Sequence, residues 1–108
     1  MEQLSIVEKE GANYKLYELV GALNSYTIGE FQSKLYEDVA KNNVVLDMSN
    51  LIELDPSGIG VLMAAFNDAE DANHRLYFLS MSSESERAIS STGFKNVFHL
   101  VNSVTEIQ

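Results

Sequence analysis

The chain has 108 residues, of which 45% are hydrophobic, no cysteine, and a formal net charge of -9. This length and apolar content predict a single compact domain over residues 1–108. The absence of cysteine excludes disulfides and thiolate chemistry, and the seven scattered basic residues argue against direct binding to nucleic acid or to an anionic membrane surface. With neither a signal-peptide pattern nor an apolar run long enough to span a bilayer, a cytoplasmic location is expected.

Two β-rich segments open the chain, "LSIV" (4–7) and "YKLYELV" (14–20). A polar turn, "EKEGAN", lies between them, so the sequence predicts a β-hairpin. "GALNSYT" (21–27) then breaks the strand pattern. In the following "TIGEFQSKLYEDVAK" the apolar residues recur at helical spacing, and Thr27 with Glu30 has the pattern of a capping box. A helix with one buried face is therefore predicted next.

The middle of the chain alternates strand and helix. "NNVVLDM" (42–48) carries three apolar residues in a row, which favours a strand covered on both faces. Apolar residues from Ile59 to Ala69 recur at helical spacing and predict a second helix. "RLYFLS" (75–80) is typical of another buried strand.

The last third continues this alternation. "SESERAISSTG" predicts a third helix that starts at Ser83, paired with Glu86 in a capping box, and ends near Gly93. "FKNVFHLV" is a hydrophobic return segment, and "NSVTEIQ" has the composition of a last short helical turn. Strands that alternate with helices in this order indicate an α/β domain whose sheet is covered by helices and contains parallel pairs.

One stretch, "LDPSGIG" (54–60), combines residues that disfavour helices at the place where the second helix begins. Asp55 is a favoured N-cap, and Pro56 then falls at the first helical position, where its missing N–H costs nothing. The glycines that follow lower helix propensity by about 1 kcal/mol each. We therefore expect Gly58 and Gly60 to be required by the close approach of another backbone or of a partner.

Ser57 lies in the first turn of this helix, where free backbone N–H groups and the helix dipole favour negative charge. A phosphate on this serine would leave the fold intact. A partner carboxylate about 4 Å from it would lose roughly 4 kcal/mol per unit charge at an effective dielectric near 20, which is about a thousandfold in affinity. The position is therefore suited to a binary switch in binding.

Catalytic and cofactor sites need parts that this stretch lacks. A dinucleotide-binding loop needs a third glycine beside Gly58 and Gly60, and a Walker loop needs a lysine. A nucleophile elbow needs glycines flanking the serine at a different spacing, and neither His74 nor His99 is placed to act as the base for Ser57. Two isolated histidines also make no metal-ligand pattern. None of these catalytic, cofactor or metal sites is therefore expected here.

Asp47 lies at the end of a predicted buried strand, as does the phosphorylated aspartate of receiver domains. Those domains also need an acidic pair after their first strand to hold magnesium, and the first strand here runs into a hairpin turn instead. A turn or helix-end hydrogen bond is the expected role of Asp47.

The segment "VVLDMSNLIELDPSGIGVLMAA" (44–65) resembles the central signature of STAS domains, specifically of bacterial anti-sigma factor antagonists. The residues that match this signature in register are Asp47, Ser49, Asp55, Ser57, Gly58, Ile59 and Gly60. "GALNSYT" (21–27) and "STGFKNVFHLVNSVTE" (91–106) are similar to two further blocks of the family. The resemblance thus covers nearly the whole chain.

The resemblance implies a STAS fold, a mixed sheet of four or five strands flanked by helices, with no cofactor and no catalysis of its own. It also implies partner switching. The unphosphorylated antagonist binds an anti-sigma factor that is a serine kinase and frees the sigma factor, phosphorylation of the antagonist releases it, and a serine phosphatase resets it.

By the same resemblance, Ser57 is the phosphoacceptor, and the partner-binding surface includes Asn24, Ser25, Asp55 and Gly58 as well as Ser57. The family commonly has an aspartate where this chain has Asn24, so one charge beside the acceptor is missing. STAS domains also serve as phosphorylation-independent adaptors in transport and stress-sensing complexes. That alternative needs only a binding surface, whereas the switch needs the hydroxyl of Ser57.

Overall fold

A computed structural model describes residues 3–107 of the chain, and a five-stranded mixed sheet organises them. The strands are β1 Leu4–Glu10, β2 Lys15–Leu23, β3 Val44–Leu54, β4 Leu76–Leu79 and β5 His99–Val101. The α-helices are α1 Ile28–Val39, α2 Pro56–Asp71 and α3 Ser83–Ser90, and 3₁₀ turns cover Lys95–Val97 and Val104–Glu106.

The strands lie in the sheet in chain order. β1 and β2 form the predicted antiparallel hairpin, and the other three neighbouring pairs are parallel. α1, α2 and α3 each connect two parallel strands. Because successive crossovers in one direction share one hand, the helices fall on the same face of the sheet.

The main hydrophobic core lies between this helical layer and the sheet. Phe31 of α1, Leu62 of α2 and Ile89 of α3 all pack into one cluster with the sheet residues Leu46 and Phe78. Each of these side chains is almost fully buried. This shared cluster confirms the α/β architecture in which one face of each helix packs on the sheet.

A smaller apolar cluster occupies the opposite face of the sheet. Val45, Tyr77, Leu79 and Val101 form it, and Ile107 after the last 3₁₀ turn packs against it. The prediction that the 42–48 strand is buried on both faces is therefore confirmed. Tyr14, just before β2, and Leu16, at its amino end, pack against the same cluster, so the C-terminal segment is only part of its cover.

Two predicted helix caps differ from the structure. Thr27 precedes α1, but its hydroxyl donates to the carbonyl of Ala22 at 2.9 Å and leaves the helix uncapped by a side chain. Its own backbone is already close to helical, at φ -114° and ψ -11°, which takes the hydroxyl away from the first turn. The cap of α3 is Ser82 rather than Ser83, with Oγ accepting from the backbone N–H of Ser85 at 3.1 Å.

Strands β2 and β3 are longer than their sequences predict. They stay paired as far as Leu23 opposite Leu54, past two register shifts that break the alternation of side chains. Gly21 lies at one shift with φ +111°, and a Cβ there would be 2.0 Å from the carbonyl oxygen of Gln3. The extra pairing brings the loop after β2 alongside the start of α2.

Candidate functional site

The candidate site lies where β2 and β3 end side by side. Leu23 is the partner of Leu54 in the parallel pair, so the chain leaves both strands at the same edge of the sheet. The loop 24–27 follows β2, and α2 follows β3 after a single residue, Asp55. Residues that lie 30 positions apart in the chain are therefore neighbours here.

Asp55 starts α2 as the sequence predicts. Its backbone is extended, at φ -91° and ψ 175°, and its Oδ1 accepts a hydrogen bond from the backbone N–H of Gly58 at 2.9 Å. Pro56 is the first helical residue, where its missing N–H removes no hydrogen bond. The break in helix-forming composition at this point is thus an N-terminal cap.

Asp55 also reaches the neighbouring loop. Its second carboxylate oxygen, Oδ2, accepts from the backbone N–H of Ser25 at 3.2 Å. One carboxylate therefore joins the first turn of α2 to the loop 24–27. This bridge brings two blocks that the sequence singled out, Asp55–Gly58 and Asn24–Ser25, into one surface.

Ser57 occupies the first turn of α2 with its side chain half-buried. Among residues 3–107, no side chain or backbone group is hydrogen-bonded to its hydroxyl. The two histidines are engaged elsewhere: His74 Nδ1 lies 2.9 Å from the carbonyl of Val39, and His99 Nε2 lies 3.2 Å from a carboxylate oxygen of Glu70. Neither histidine is therefore available as a general base for Ser57.

The two glycines of α2 have different surroundings. Gly58 is buried, and a Cβ there would meet the carbonyl oxygen of Leu23 and a methyl of Leu54, each at 2.8 Å. Gly60 is exposed, and a Cβ on it would meet no described atom within 4 Å. Close approach of another backbone, one of the two predicted explanations, therefore accounts for Gly58, whereas Gly60 lies open on the surface.

Asn24 is only 7% exposed, and both ends of its amide are hydrogen-bonded. Its Nδ2 donates to Glu53 Oε1 at 2.7 Å, and its Oδ1 accepts from the backbone N–H of Tyr26 at 2.9 Å. Sequence reasoning missed Glu53. Its spacing was the available signal, because residues 53 and 55 in extended backbone point the same way, and both carboxylates contact the loop 24–27.

Asp47 lies inside β3, so the predicted role in a turn or at a helix end is wrong; its hydrogen bonds are made within the strand. Its Oδ1 accepts from both the backbone N–H of Ser49, at 3.0 Å, and the Ser49 hydroxyl, at 2.7 Å. Over residues 3–107, no three His, Cys, Asp or Glu side chains gather closely enough to hold a metal ion. Nor is any helix of this region both long enough and apolar enough to cross a membrane.

Comparison with known proteins gives a consistent family match. The STAS domain family model matches residues 3–107. An anti-sigma-B factor antagonist of Staphylococcus aureus is 26% identical over 98 residues, covering 87% of this chain and 90% of the relative. A protein of the same name from Staphylococcus epidermidis is 27% identical over 90 residues, covering 82% of each chain.

Solved structures share the fold at low sequence identity. An anti-sigma factor antagonist from Mycobacterium paratuberculosis superposes with a TM-score of 0.83 at 16% identity, over 95% of this chain and 89% of that one. The anti-sigma factor antagonist SpoIIAA in its unphosphorylated form gives 0.79 at 14% identity, over 95% and 93%. The phosphorylated form of SpoIIAA, from Bacillus, gives 0.74 at 14% identity, over 95% and 96%.

Proposed function

Because the chain belongs to the STAS domain family, we propose that it is an anti-sigma factor antagonist of a partner-switching system. Its unphosphorylated form binds an anti-sigma factor that is also a serine kinase, and this binding frees a sigma factor. The kinase phosphorylates Ser57, which releases the antagonist, and a serine phosphatase restores it. The staphylococcal relatives named anti-sigma-B factor antagonists support this assignment.

The observation that carries the proposal is the setting of Ser57. Ser57 is a half-buried residue in the first turn of a 16-residue helix, and its hydroxyl is free of hydrogen bonds to other described residues. A phosphate at this place gains about 0.3 to 1 kcal/mol from the helix dipole. SpoIIAA, a protein of the same fold, is known in both unphosphorylated and phosphorylated forms, which supports a fold that tolerates the modification.

The proposed partner-binding surface consists of Asn24, Ser25, Asp55, Ser57 and Gly58. Ser25, Asp55 and Ser57 offer atoms to the partner. Asn24 and Gly58 are buried, so they contribute by shaping this surface. A partner carboxylate placed close to Ser57 would oppose a phosphate there and so account for release.

Phosphorylation with the purified anti-sigma factor kinase of the source organism and ATP tests the function. We expect intact-mass spectrometry to find one added phosphate on the wild type and none on Ser57→Ala. Ser49→Ala is the matched control, because Ser49 is an exposed serine of the same sequence block and should leave phosphorylation unchanged. Equal phosphorylation of Ser57→Ala and the wild type would overturn the assignment of the acceptor.

A further inference from the structure

Tyr26 is the most exposed large hydrophobic side chain among residues 3–107. Its exposed fraction is 92%, and the next most exposed large hydrophobic side chain, Ile52, is 62% exposed. A single exposed apolar residue needs no explanation by itself. The backbone that carries this ring, however, is fixed by hydrogen bonds within the protein.

Every backbone N–H from residue 24 to residue 28 is hydrogen-bonded within the protein. The bonds are Asn24 N–H to Thr27 Oγ1 at 3.0 Å, Ser25 N–H to Asp55 Oδ2 at 3.2 Å, Tyr26 N–H to Asn24 Oδ1 at 2.9 Å, and both Thr27 and Ile28 N–H to the Asn24 carbonyl at 3.0 Å. Because none of these N–H groups is free, the backbone of the loop is held in one conformation, and the Cα–Cβ bond of Tyr26 points in one direction. Binding through such a ring costs little ordering entropy.

Glu53 supports the centre of this arrangement. Its carboxylate accepts from the side-chain amide of Asn24, the residue that provides hydrogen-bond acceptors to Tyr26, Thr27 and Ile28. Glu53 and Asp55 thus hold the loop from the end of β3 at two points. In the Asn24–Glu53 pair an amide donates to a carboxylate. An aspartate at position 24 would instead place a second carboxylate against Glu53 and remove this hydrogen bond.

We propose that Tyr26 is the aromatic anchor of the partner-binding surface and that Glu53 positions it through Asn24. The inference rests on the proposed function and names what the anti-sigma factor must offer: an apolar pocket for the ring, rimmed by basic residues. The basic rim follows from the carboxylates of Glu30, Glu53 and Asp55, which lie on the elements flanking the loop. Aromatic anchors in such pockets carry much of the affinity of protein interfaces.

The ring and the phosphoacceptor belong to one surface. Asp55 contacts the backbone of Ser25, next to Tyr26, and the backbone of Gly58, next to Ser57. A partner that covers Ser57 therefore meets the loop as well. Release by phosphorylation would then act on a contact region that includes the anchor.

Binding of the purified anti-sigma factor of the source organism, measured by calorimetry, tests the anchor. We expect Tyr26→Ala to raise Kd by about thirtyfold. Phe94→Ala is the matched control, because Phe94 is a 49% exposed aromatic residue on the return toward the amino end of β5, and it should leave Kd within about twofold. A Kd for Tyr26→Ala equal to that of the control overturns the inference.

The positioning role of Glu53 is tested by exchanging the two side chains. Asn24→Asp places two carboxylates face to face, and we expect it to weaken binding by about tenfold and to speed exchange of the Tyr26 amide proton. The double variant Asn24→Asp/Glu53→Gln restores a carboxylate–amide pair with donor and acceptor exchanged, and should recover both readouts. A double variant no better than Asn24→Asp would remove Glu53 from the proposal.

The wild type distinguishes this inference from the function on which it rests. If the wild type fails to bind the anti-sigma factor, both are overturned. If the wild type binds and Tyr26→Ala binds equally well, the antagonist function survives and the anchor does not.

Discussion

The hydroxyl of Tyr17, on β2, donates a hydrogen bond to the carboxylate of Asp38, near the end of α1, and both side chains are buried. Lys15 lies 3.4 Å from the same carboxylate through its Nζ. This contact fixes the carboxyl-terminal end of α1 to the sheet, at the edge opposite the loop 24–27. Burial, together with the hydrogen bond to Asp38, raises the pKa of Tyr17 above its ordinary value.

Tyr17→Phe should lower the free energy of unfolding by about 1.5 to 3 kcal/mol, because a buried hydrogen bond to a charged acceptor is lost. Urea unfolding followed by circular dichroism measures the change. Tyr36→Phe serves as the control, since Tyr36 is only partly buried and has no side-chain hydrogen bond to another described residue. Equal stability of the two variants would show that the Tyr17–Asp38 bond contributes nothing net.

The raised pKa of Tyr17 also predicts a pH dependence. Its contribution to stability is fully present below the unfolded-state pKa of about 10 and is lost as the pH rises toward the folded-state value. The reason is that the unfolded chain ionises first, at about 1.4 kcal/mol per pH unit. Unfolding measured between pH 8 and about 11 should therefore show a steeper alkaline decline for the wild type than for Tyr17→Phe. Parallel curves would contradict the assignment.

Alanine at the two glycines of α2 should have opposite effects. Gly58→Ala forces a methyl group against the Leu23 carbonyl, and we expect a loss of about 1 to 3 kcal/mol in the free energy of unfolding. Gly60→Ala meets open space in a helix and should be neutral or stabilising by up to about 1 kcal/mol. Urea unfolding of both variants measures this contrast, and a similar loss at both positions would count against the packing explanation.

Removal of the Asp55 carboxylate should cost about 1 to 2 kcal/mol of stability in Asp55→Ala, because the cap of α2 is lost. Asp55→Asn keeps one oxygen to accept from Gly58, and we expect a smaller loss. Thermal unfolding of the two variants measures the difference. If asparagine were as damaging as alanine, the bond to Ser25 rather than the cap would be the stronger contribution.

Ser57→Asp adds a negative charge where the phosphate is proposed, and we expect weaker binding to the anti-sigma factor with the free energy of unfolding unchanged within about 0.5 kcal/mol. Ser33→Asp is the control, since it makes the same change in net charge on an exposed position of α1. Calorimetric titration measures both. Unchanged affinity in Ser57→Asp would favour the phosphorylation-independent adaptor.

The fold was largely predictable because local and tertiary preferences agree along most of the chain. Helical spacing located α1 and α2, and the run at Val44–Leu46 marked a strand buried on both faces. The ends of β2 and β3 were predicted too early. The last residues of these strands pair through two register shifts. Such shifts interrupt the alternation of side chains, so no period-2 pattern marks these residues as strand in the sequence.

The contacts of the candidate site were predictable where a residue bonds within its own helix. They were not predictable where the two partners come from different strands of the sheet. Asp55 and Pro56 follow from capping rules that operate over three residues. The Asn24–Glu53 bond joins positions 29 apart, and only the parallel pairing of β2 with β3 brings them together. The missing cap of α1 has the same cause, because the Thr27 hydroxyl donates to the carbonyl of Ala22 in β2 and does not cap the helix that follows it.

The order of strands in the sheet also has a consequence for how the chain folds. Each strand pairs with the strand before it in sequence, so no pairing waits for a distant segment to be synthesised. A connection between strands that are neighbours in sequence costs less entropy to close than one that spans the whole chain, because the cost grows with loop length. We therefore expect β1 to β3, with α1, to assemble while the rest of the chain is still emerging from the ribosome, and β4 and β5 to add to that edge in turn.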